Sequence, residues 1–484
     1  MKETLFQAFE WYLESEPSLY SKLKQEASHL SNLGITRIWM PPAYKGQAGL
    51  NDVGYGVYDL YDLGEFDQKG TVRTKYGTKE EYLQVIDTFH TYHIEVIADI
   101  VLNHRMGADA KETILAKPMN WQDRNQEVGP EQTVEVWTKY TFPGRQGKYS
   151  DFTWNWTHFD GTDYDDLSKR TELLEFQGKS WDEHVSKEEG NFDFIMGDDL
   201  DFNNPEVVQE LKRWGAWYKE MTGVDGYRLD AVKSIDSHFF KGWLEAIQNT
   251  GYVVGEYWSG NVEELISYLQ QSSYCMKLFD VPFHFNLYNA SSSYDRYDMR
   301  TLFDRTLVTY DNLHACAFVD NHDTQPGQAL QSWIQPWFKL HAYSLILLRN
   351  FESPCVFYGD LYGIARDQYP GVEHLDELIW LRSHLLEDEI EDHFDDYHCV
   401  GWRVGANHVI IVVMTNGNDS SKEFYIDGFK GRSFIDITSQ TIVQINENNC
   451  GIFPCKAGSC SIFIEVEKYQ MMKEDLKNEN RNGM

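Results

Sequence analysis

The stretch Val224-Asp225-Gly226-Tyr227-Arg228-Leu229-Asp230-Ala231-Val232-Lys233 decides how the chain is read. Residues 224–229 read as a buried strand. Strand side chains alternate faces, so Arg228 and Asp230 project to the same side. A cation then flanks a carboxylate at a strand end, and the pattern predicts that Arg228 lowers the Asp230 pKa and keeps it ionised, as a carboxylate nucleophile requires. Taken alone, the stretch reads equally well as a solvated ion pair at a strand terminus. Its surroundings decide between the two.

Working outward, apolar runs of strand length recur at residues 4–9, 35–40, 94–101, 224–229, 252–256, 276–280, 315–319 and 354–358. Helical patterns lie between them. The clearest covers 205–222, with Asn204 as N-cap, Pro205 in the first turn, Val207, Val208, Leu211, Trp214, Tyr218 and Met221 on one face, and Gly223 as the stop. A second runs over 19–33 with Gly34 behind it, and Thr78 with Glu81 forms a capping box ahead of a third. Further helices are predicted at 261–271, 298–310, 332–349 and 374–386. Eight buried strands alternating with helices predict an α/β fold of the (β/α)8 TIM-barrel type, with a doubly wound open sheet as the competing architecture.

About a hundred residues separate the third strand from the helix at Pro205, against roughly 2–6 in an ordinary βα loop. They predict an inserted domain at 105–204, aromatic and acidic, with Trp121, Trp137, Trp154, Trp156 and Trp181 among Asp and Gly, and β-rich. The barrel then takes 1–104 and 205–394. From 395 to 466 the pattern becomes short alternating runs (400–404, 409–414, 423–426, 433–436, 442–445, 461–466), which predict a C-terminal all-β sandwich domain. Residues 467–484 read as a charged tail or frayed helix. There is no internal repeat.

The formal net charge of -33, from 43 basic and 76 acidic residues, argues against a nucleic-acid or anionic-membrane partner, since both need clustered Lys and Arg. A neutral substrate is unaffected. The opening MKETLFQAFEWYL lacks the pattern of a secretory signal, and no run reaches membrane-spanning length. Seven cysteines, an odd number, then read as reduced thiols, and the expected location is cytoplasmic. Cys450, Cys455 and Cys460 are evenly spaced but lack zinc-type pairing or a nearby histidine.

Active sites of (β/α)8 barrels lie at the C-terminal ends of the strands. The third strand ends in Asp99-Ile100-Val101-Leu102-Asn103-His104, the fourth in Arg228-Leu229-Asp230, the fifth in Gly255-Glu256-Tyr257-Trp258, and the seventh in Val319-Asp320-Asn321-His322-Asp323-Thr324. Each supplies a carboxylate and two supply a histidine. Carboxylates in different environments beside aromatic rings are what glycoside hydrolysis uses, one protonated and one ionised. Most of the 15 Trp, 29 Tyr and 27 Phe must be core. Tyr55, in Asp52-Val53-Gly54-Tyr55-Gly56, and Trp258, beside Glu256, are the candidate sugar contacts.

These strand-end motifs, together with Gln7-Ala8-Phe9-Glu10-Trp11, resemble the α-amylase family, family 13 of the glycoside hydrolases, and within it the bacterial liquefying and cytoplasmic enzymes. The resemblance runs to about Val466. It implies Asp230 as nucleophile, Glu256 as general acid/base and Asp323 as transition-state stabiliser. It also implies His104, Arg228 and His322 around the sugar at the cleavage point, and Lys233 on the leaving-group side. Asp160, Asp182, Asp193, Asp199 and Asp201 match carboxylates that, with Asn103, hold calcium and sometimes sodium between the insertion and the barrel, which suits hard cations needing several oxygen ligands. Two positions depart from the extracellular relatives. Asn203 stands in place of a carboxylate, which weakens a complete multi-ion cluster. Ser234 stands in place of a histidine, where the expected ligand is a backbone carbonyl.

The implied activity is retaining endo-hydrolysis of internal α-1,4 bonds in starch, glycogen or maltodextrin. A transglycosylase or maltooligosaccharide-forming enzyme of the same family is the nearest alternative. A non-catalytic glycan-binding relative is a third, disfavoured because Asp230, Glu256 and Asp323 are all present.

Overall fold

A computed structural model describes residues 2–482, with side chains to residue 477. Eight strands, β1 (Leu5–Gln7), β2 (Arg37–Met40), β3 (Glu95–Ile100), β4 (Gly226–Leu229), β5 (Val253–Gly255), β6 (Lys277–Phe279), β7 (Ala315–Phe318) and β8 (Ser353–Phe357), close into a barrel in chain order. Every neighbouring pair is parallel. β8 returns to β1 with Leu5 opposite Cys355, which excludes the open doubly wound sheet. The strands read as continuous apolar runs because barrel strands are buried on both faces.

The helices around the barrel begin and end where the sequence places their caps. Ser18 caps Leu19–Leu33, which stops at Gly34 with φ +102°, a conformation that disfavours any side chain. Thr78 and Glu81 form the capping box of Lys79–Thr91. The Asn204 side chain accepts from Glu206 N at the head of Pro205–Thr222, and Gly223 ends that helix. The helix predicted over 261–271 runs Val262–Gln271.

Three predictions need correction. The expected helix over 298–310 is a 3-10 turn, Met299–Thr301, and a short helix, Leu307–Tyr310, with Arg305 at φ +54° breaking the path between them. The helix expected over 332–349 starts at Pro336, since the residue before a proline is steered out of helical geometry. Three helices are not foreseen by the sequence: Phe239–Ala246, Val281–Ser293 and the short Tyr358–Tyr362. The second buries Val281, Pro282, Phe283 and His284 in succession, so its first turn shows no polar side and the 3.6-residue period is weak.

The insertion contains a six-stranded sheet in the order His104–Arg105, Asp198–Leu200, Phe159–Asp165, Arg170–Phe176, Ala110–Pro118, Gln132–Lys139. His104–Arg105 follows β3 directly, so this sheet grows from the rim of the barrel. Toward the C-terminus, an antiparallel sheet (Ile390–His393, Cys399–Val404, Ile410–Thr415, Cys460–Glu465, Ser433–Asp436, Ile442–Gln444) faces the pair Ser420–Tyr425 and Cys450–Cys455. Ile411, Val413, Phe424, Phe453 and Phe463 fill the space between. Ile390–His393 and Cys450–Cys455 were not expected as strands; the second carries Gly451 and Pro454, tolerated because it lies at a sheet edge. The charged C-terminal segment is a helix, Val466–Asn482, whose Met472 is buried; residues 483–484 lie outside the described residues. Among the described residues, no helix is long and apolar enough to cross a membrane.

Candidate active site

Arg228 is the hub. It stands opposite Asp99 in the β4–β3 register, and its side chain is fully buried. Nη1 donates to Asp99 Oδ1 at 2.8 Å and to Asp230 Oδ1 at 2.6 Å, while Nη2 donates to Glu256 Oε2 at 2.8 Å. Burial alone would lower the guanidinium pKa, but the three carboxylates raise it well above its ordinary value, so it stays charged.

One cation among three carboxylates leaves excess negative charge in a buried site. The Glu256 pKa is pushed up to about 7, first by burial and then by Asp230, against the pull of Arg228. Arg228 holds Glu256 and Asp230 side by side; burial and Asp230 favour the protonated Glu256, and that proton in turn favours an ionised Asp230. Asp230 corrects the sequence reading. Its pKa is raised, not lowered, because burial outweighs Arg228 and Asp99 adds repulsion. Its ionised form depends on sharing both the Arg228 contact and the Glu256 proton. Asp323 is raised well above the carboxylate range by burial and by Glu256.

Local backbone geometry supports the pair. Immediately after Asp230, Ala231 sits at φ +47°, a left-handed conformation that costs a non-glycine residue about 1–2 kcal/mol. Its N–H donates to Glu256 Oε2 at 3.2 Å.

The remaining sugar-site candidates gather on the same rim. The Gln7 amide donates to His322 Nδ1 at 2.9 Å, leaving Nε2 to carry the proton 3.2 Å from Asp323 Oδ2. Burial and Arg228 hold His322 neutral, well below its ordinary pKa. Tyr55 stacks on His322 at 5.1 Å and 7°, with Trp11 beside both, and donates its hydroxyl to Asp99 Oδ2 at 2.8 Å. His104 bonds through Nε2 to Tyr55 O at 2.8 Å, and burial lowers its pKa to about 4. Lys233 Nζ donates to Glu188 Oε2 at 2.6 Å and to Trp258 O at 3.1 Å, so these two candidates are neighbours.

Asp99 belongs to the site, although the sequence alone gives it no role there. It is fully buried and accepts from Arg228, Tyr55 and, at 2.9 Å, Trp39 Nε1. A carboxylate inside the apolar run 94–101 was the available signal, because such a group must find partners.

The acidic cluster lies where the insertion meets the end of β3. Asn103 Nδ2 donates to Asp199 Oδ1 at 3.0 Å, and Asp182 N donates to Asp193 Oδ2 at 2.8 Å. Asn103 Oδ1, Asp160 Oδ2, Asp182 Oδ2 and Asp199 Oδ2 are buried without any hydrogen-bond partner. Burial, reinforced by like charge, pushes Asp182 up to about 9 and Asp160 and Asp199 well above the carboxylate range; Asp193 rises to about 7, also chiefly through burial. Four buried, unpartnered oxygens among crowded acids are the donor chemistry that a hard cation takes, so these residue types fit calcium. Asp201 differs from the expectation. Its Oδ1 accepts from Asn203 N at 2.9 Å and its Oδ2 is held by the Lys179 ammonium, so it already has a counter-ion. Asn203 donates through Nδ2 to Asp182 Oδ1 at 2.7 Å, supplying a donor where a carboxylate would add charge. Ser234 is buried in the turn after β4.

The α-amylase catalytic-domain family model matches residues 23–407. The chain is 46% identical over 476 residues to an α-amylase of Geobacillus stearothermophilus, covering 95% of this chain and 86% of the relative. It is 40% identical over 490 residues to the cytoplasmic α-amylase of Escherichia coli strain K12, covering 96% and 99%. Among solved structures, an Anoxybacillus α-amylase superposes with a TM-score of 0.63 at 15% identity, covering 96% of this chain and 97% of that one; this likeness bears on the fold alone.

Proposed function

The chain belongs to the α-amylase family and is a glycoside hydrolase, and from that premise we propose how its residues cleave internal α-1,4-glucosidic bonds with retention. The observation that carries the reading is that one guanidinium, Arg228, holds both Asp230 and Glu256, with the Glu256 pKa pushed up to about 7.

In the first step the Asp230 carboxylate attacks the anomeric carbon while Glu256 gives its proton to the leaving glycosidic oxygen, so the C–O bond breaks and a glycosyl-enzyme forms. Glu256, now ionised, takes a proton from water; that water attacks the same carbon and releases Asp230. Two inversions give net retention. Attachment of both carboxyl groups to one guanidinium supports this route, because a single displacement needs about 6.5–9.5 Å between them to admit water. Asp323 and the His322 Nε2–H hold hydroxyls of the sugar at the cleavage point, and Arg228 keeps Asp230 aimed. Tyr55 and Trp11 offer stacked ring faces to the sugar's apolar side, and Lys233 and Trp258 take the leaving-group side.

Asn103, Asp160, Asp182, Asp193 and Asp199, with the Ser234 carbonyl, would hold calcium, which supplies the positive charge that lets these acids stay ionised while joining the insertion to β3. Unpartnered oxygens on four of them support this assignment. We place the enzyme in the cytoplasm, acting on glycogen or maltodextrins. Seven unpaired cysteines and the similarity to the cytoplasmic α-amylase of Escherichia coli support that placement.

The test of the endo reading is digestion of a maltooligosaccharide blocked at its non-reducing end. Cleavage of the blocked substrate at a rate near that of the free one is expected; resistance of the blocked substrate would assign the chain to the exo-acting alternative.

A further inference from the structure

His184, Asp236 and His238 adjoin the acidic cluster, where the Asp236 backbone reaches the Asp182 carboxylate, but none of the three belongs to it, and each can point one ligand atom at a common centre, with all three atoms within 4.8 Å of one another. We propose that they form a binding site for a borderline divalent transition-metal ion, of which zinc is the natural occupant, distinct from the oxygen-only calcium cluster.

The donor chemistry separates the two sites. Two imidazoles and one carboxylate suit zinc, whereas calcium takes oxygen ligands almost exclusively. Zinc–ligand distances of about 2.0–2.1 Å place the donors of a tetrahedral site about 3.3 Å apart. His238 Nδ1 and Asp236 Oδ1 already stand at 3.0 Å, so one edge is formed. The His184 and His238 rings meet edge to face at 4.6 Å between centroids, and modest rotation of two exposed side chains brings the third donor in.

The backbone pre-organises the site. His184 comes from the insertion, between Arg170–Phe176 and Asp198–Leu200, while Asp236 and His238 follow β4 and Asp230. Ser237 N donates to His184 O at 3.1 Å and Ser186 N donates to Lys233 O at 2.8 Å, so both segments are fixed on either side of the three ligands. His238 N also donates to Asp236 Oδ1 at 2.8 Å, which orients the carboxylate. The histidines line a cleft of about 1040 Å³ shared with Glu188, Tyr257 and Trp258. Three protein ligands leave the fourth tetrahedral position to water from that cleft. A bound ion would therefore clamp the insertion to the loop that carries the nucleophile.

The test uses the full chain saturated with calcium, so that the acidic cluster is filled, and titrates it with zinc chloride by equilibrium dialysis, with cobalt chloride as a spectroscopic probe. One zinc per chain is expected, with a cobalt spectrum of nitrogen and oxygen coordination and no thiolate charge-transfer band. His184→Ala and His238→Ala should each weaken zinc binding by more than the roughly 10–100-fold typical of losing an outer-shell partner. His398→Ala, a histidine elsewhere on the surface, should leave it unchanged. Melting temperatures in zinc-free, calcium-containing buffer establish that the variants are folded, and if His184→Ala or His238→Ala melts early, Asp236→Asn replaces it with the same expectation. No zinc beyond the calcium sites, binding that survives all of these ligand substitutions, or a thiolate band would overturn the proposal; the contact between Asp236 and His238 would then be an ordinary hydrogen bond.

Discussion

Arg228 and Asp99 face each other across neighbouring barrel strands, Nη1 to Oδ1 at 2.8 Å, with both side chains fully buried. A buried ion pair adds little stability compared with an apolar pair, but losing one partner strands the other. Here the cation also serves Asp230 and Glu256, so Arg228 is the counter-charge on which the ionisation of the whole site rests.

Arg228→Gln is therefore expected to abolish activity and to destabilise the fold by about 3–5 kcal/mol near neutral pH. Without the guanidinium, the folded-state pKa values of the three acids rise further above their unfolded values. The folded protein then holds protons that the unfolded chain releases, so stability falls as pH rises. The gap in melting temperature between wild type and variant should widen from pH 5 to pH 8. A gap independent of pH would remove Arg228 from its role as counter-charge.

With Glu256 as the proposed acid, its pKa of about 7 is expected to set the alkaline limb of kcat/KM. Glycosidic oxygen leaves only when the acid carries its proton, so activity should fall about tenfold per pH unit above that value. The same proton affects stability. Glu256 ordinarily titrates at 4.5, so the folded state retains a proton that the unfolded chain loses, and this contribution, full below pH 4.5, is lost by about pH 7. A pH–rate profile flat to pH 9 would show that Glu256 is not the acid.

Removing calcium with a chelator should lower the melting temperature, since an ion bound only to the folded state at a hundred times its dissociation constant adds about 2.7 kcal/mol. Asn203→Asp replaces the amide that donates to Asp182 with a further negative charge. That variant should melt higher than wild type with calcium and lower without it. Differential scanning calorimetry with and without calcium measures both, and the same sign under both conditions would argue against an ion in the cluster.

Gln7 fixes which His322 nitrogen carries the proton. In Gln7→Ala both tautomers become available, and the loss of one neutral hydrogen bond of about 1 kcal/mol should lower kcat about fivefold with KM little changed. A KM effect with kcat intact would mean that His322 contributes only to ground-state binding.

Much of this arrangement is legible in the chain because barrel strands are short and apolar, so the polar residues that follow them stand out: Asp230, Glu256 and His322-Asp323 each follow such a run and meet at one rim. Local caps such as Asn204 and Thr78 were equally readable, since they act within one helical turn. What escaped depends on relations the one-dimensional pattern does not carry. Asp99 gains its role from lying opposite Arg228 in a strand register. The rise in the Asp230 pKa comes from burial, while a sequence reading sees only the neighbouring Arg228. Lys179 takes up Asp201 through a fold of the insertion. His184 meets Asp236 and His238 because two loops are tied by backbone hydrogen bonds. The helix Val281–Ser293 escaped because burial throughout its first turn weakens its periodicity.

If Asp230 and Glu256 cleave by double displacement, as proposed, the first-formed product keeps the configuration of the bond that was broken. Proton NMR of a fresh digest of a reduced-end-blocked maltooligosaccharide should show the α-anomer of the newly formed reducing end first, with the β-anomer growing in only by mutarotation. Asp230→Asn and Glu256→Gln, both folded, should give almost no product over the same interval. A β-anomer appearing first, or near-native turnover by either variant, would contradict the account.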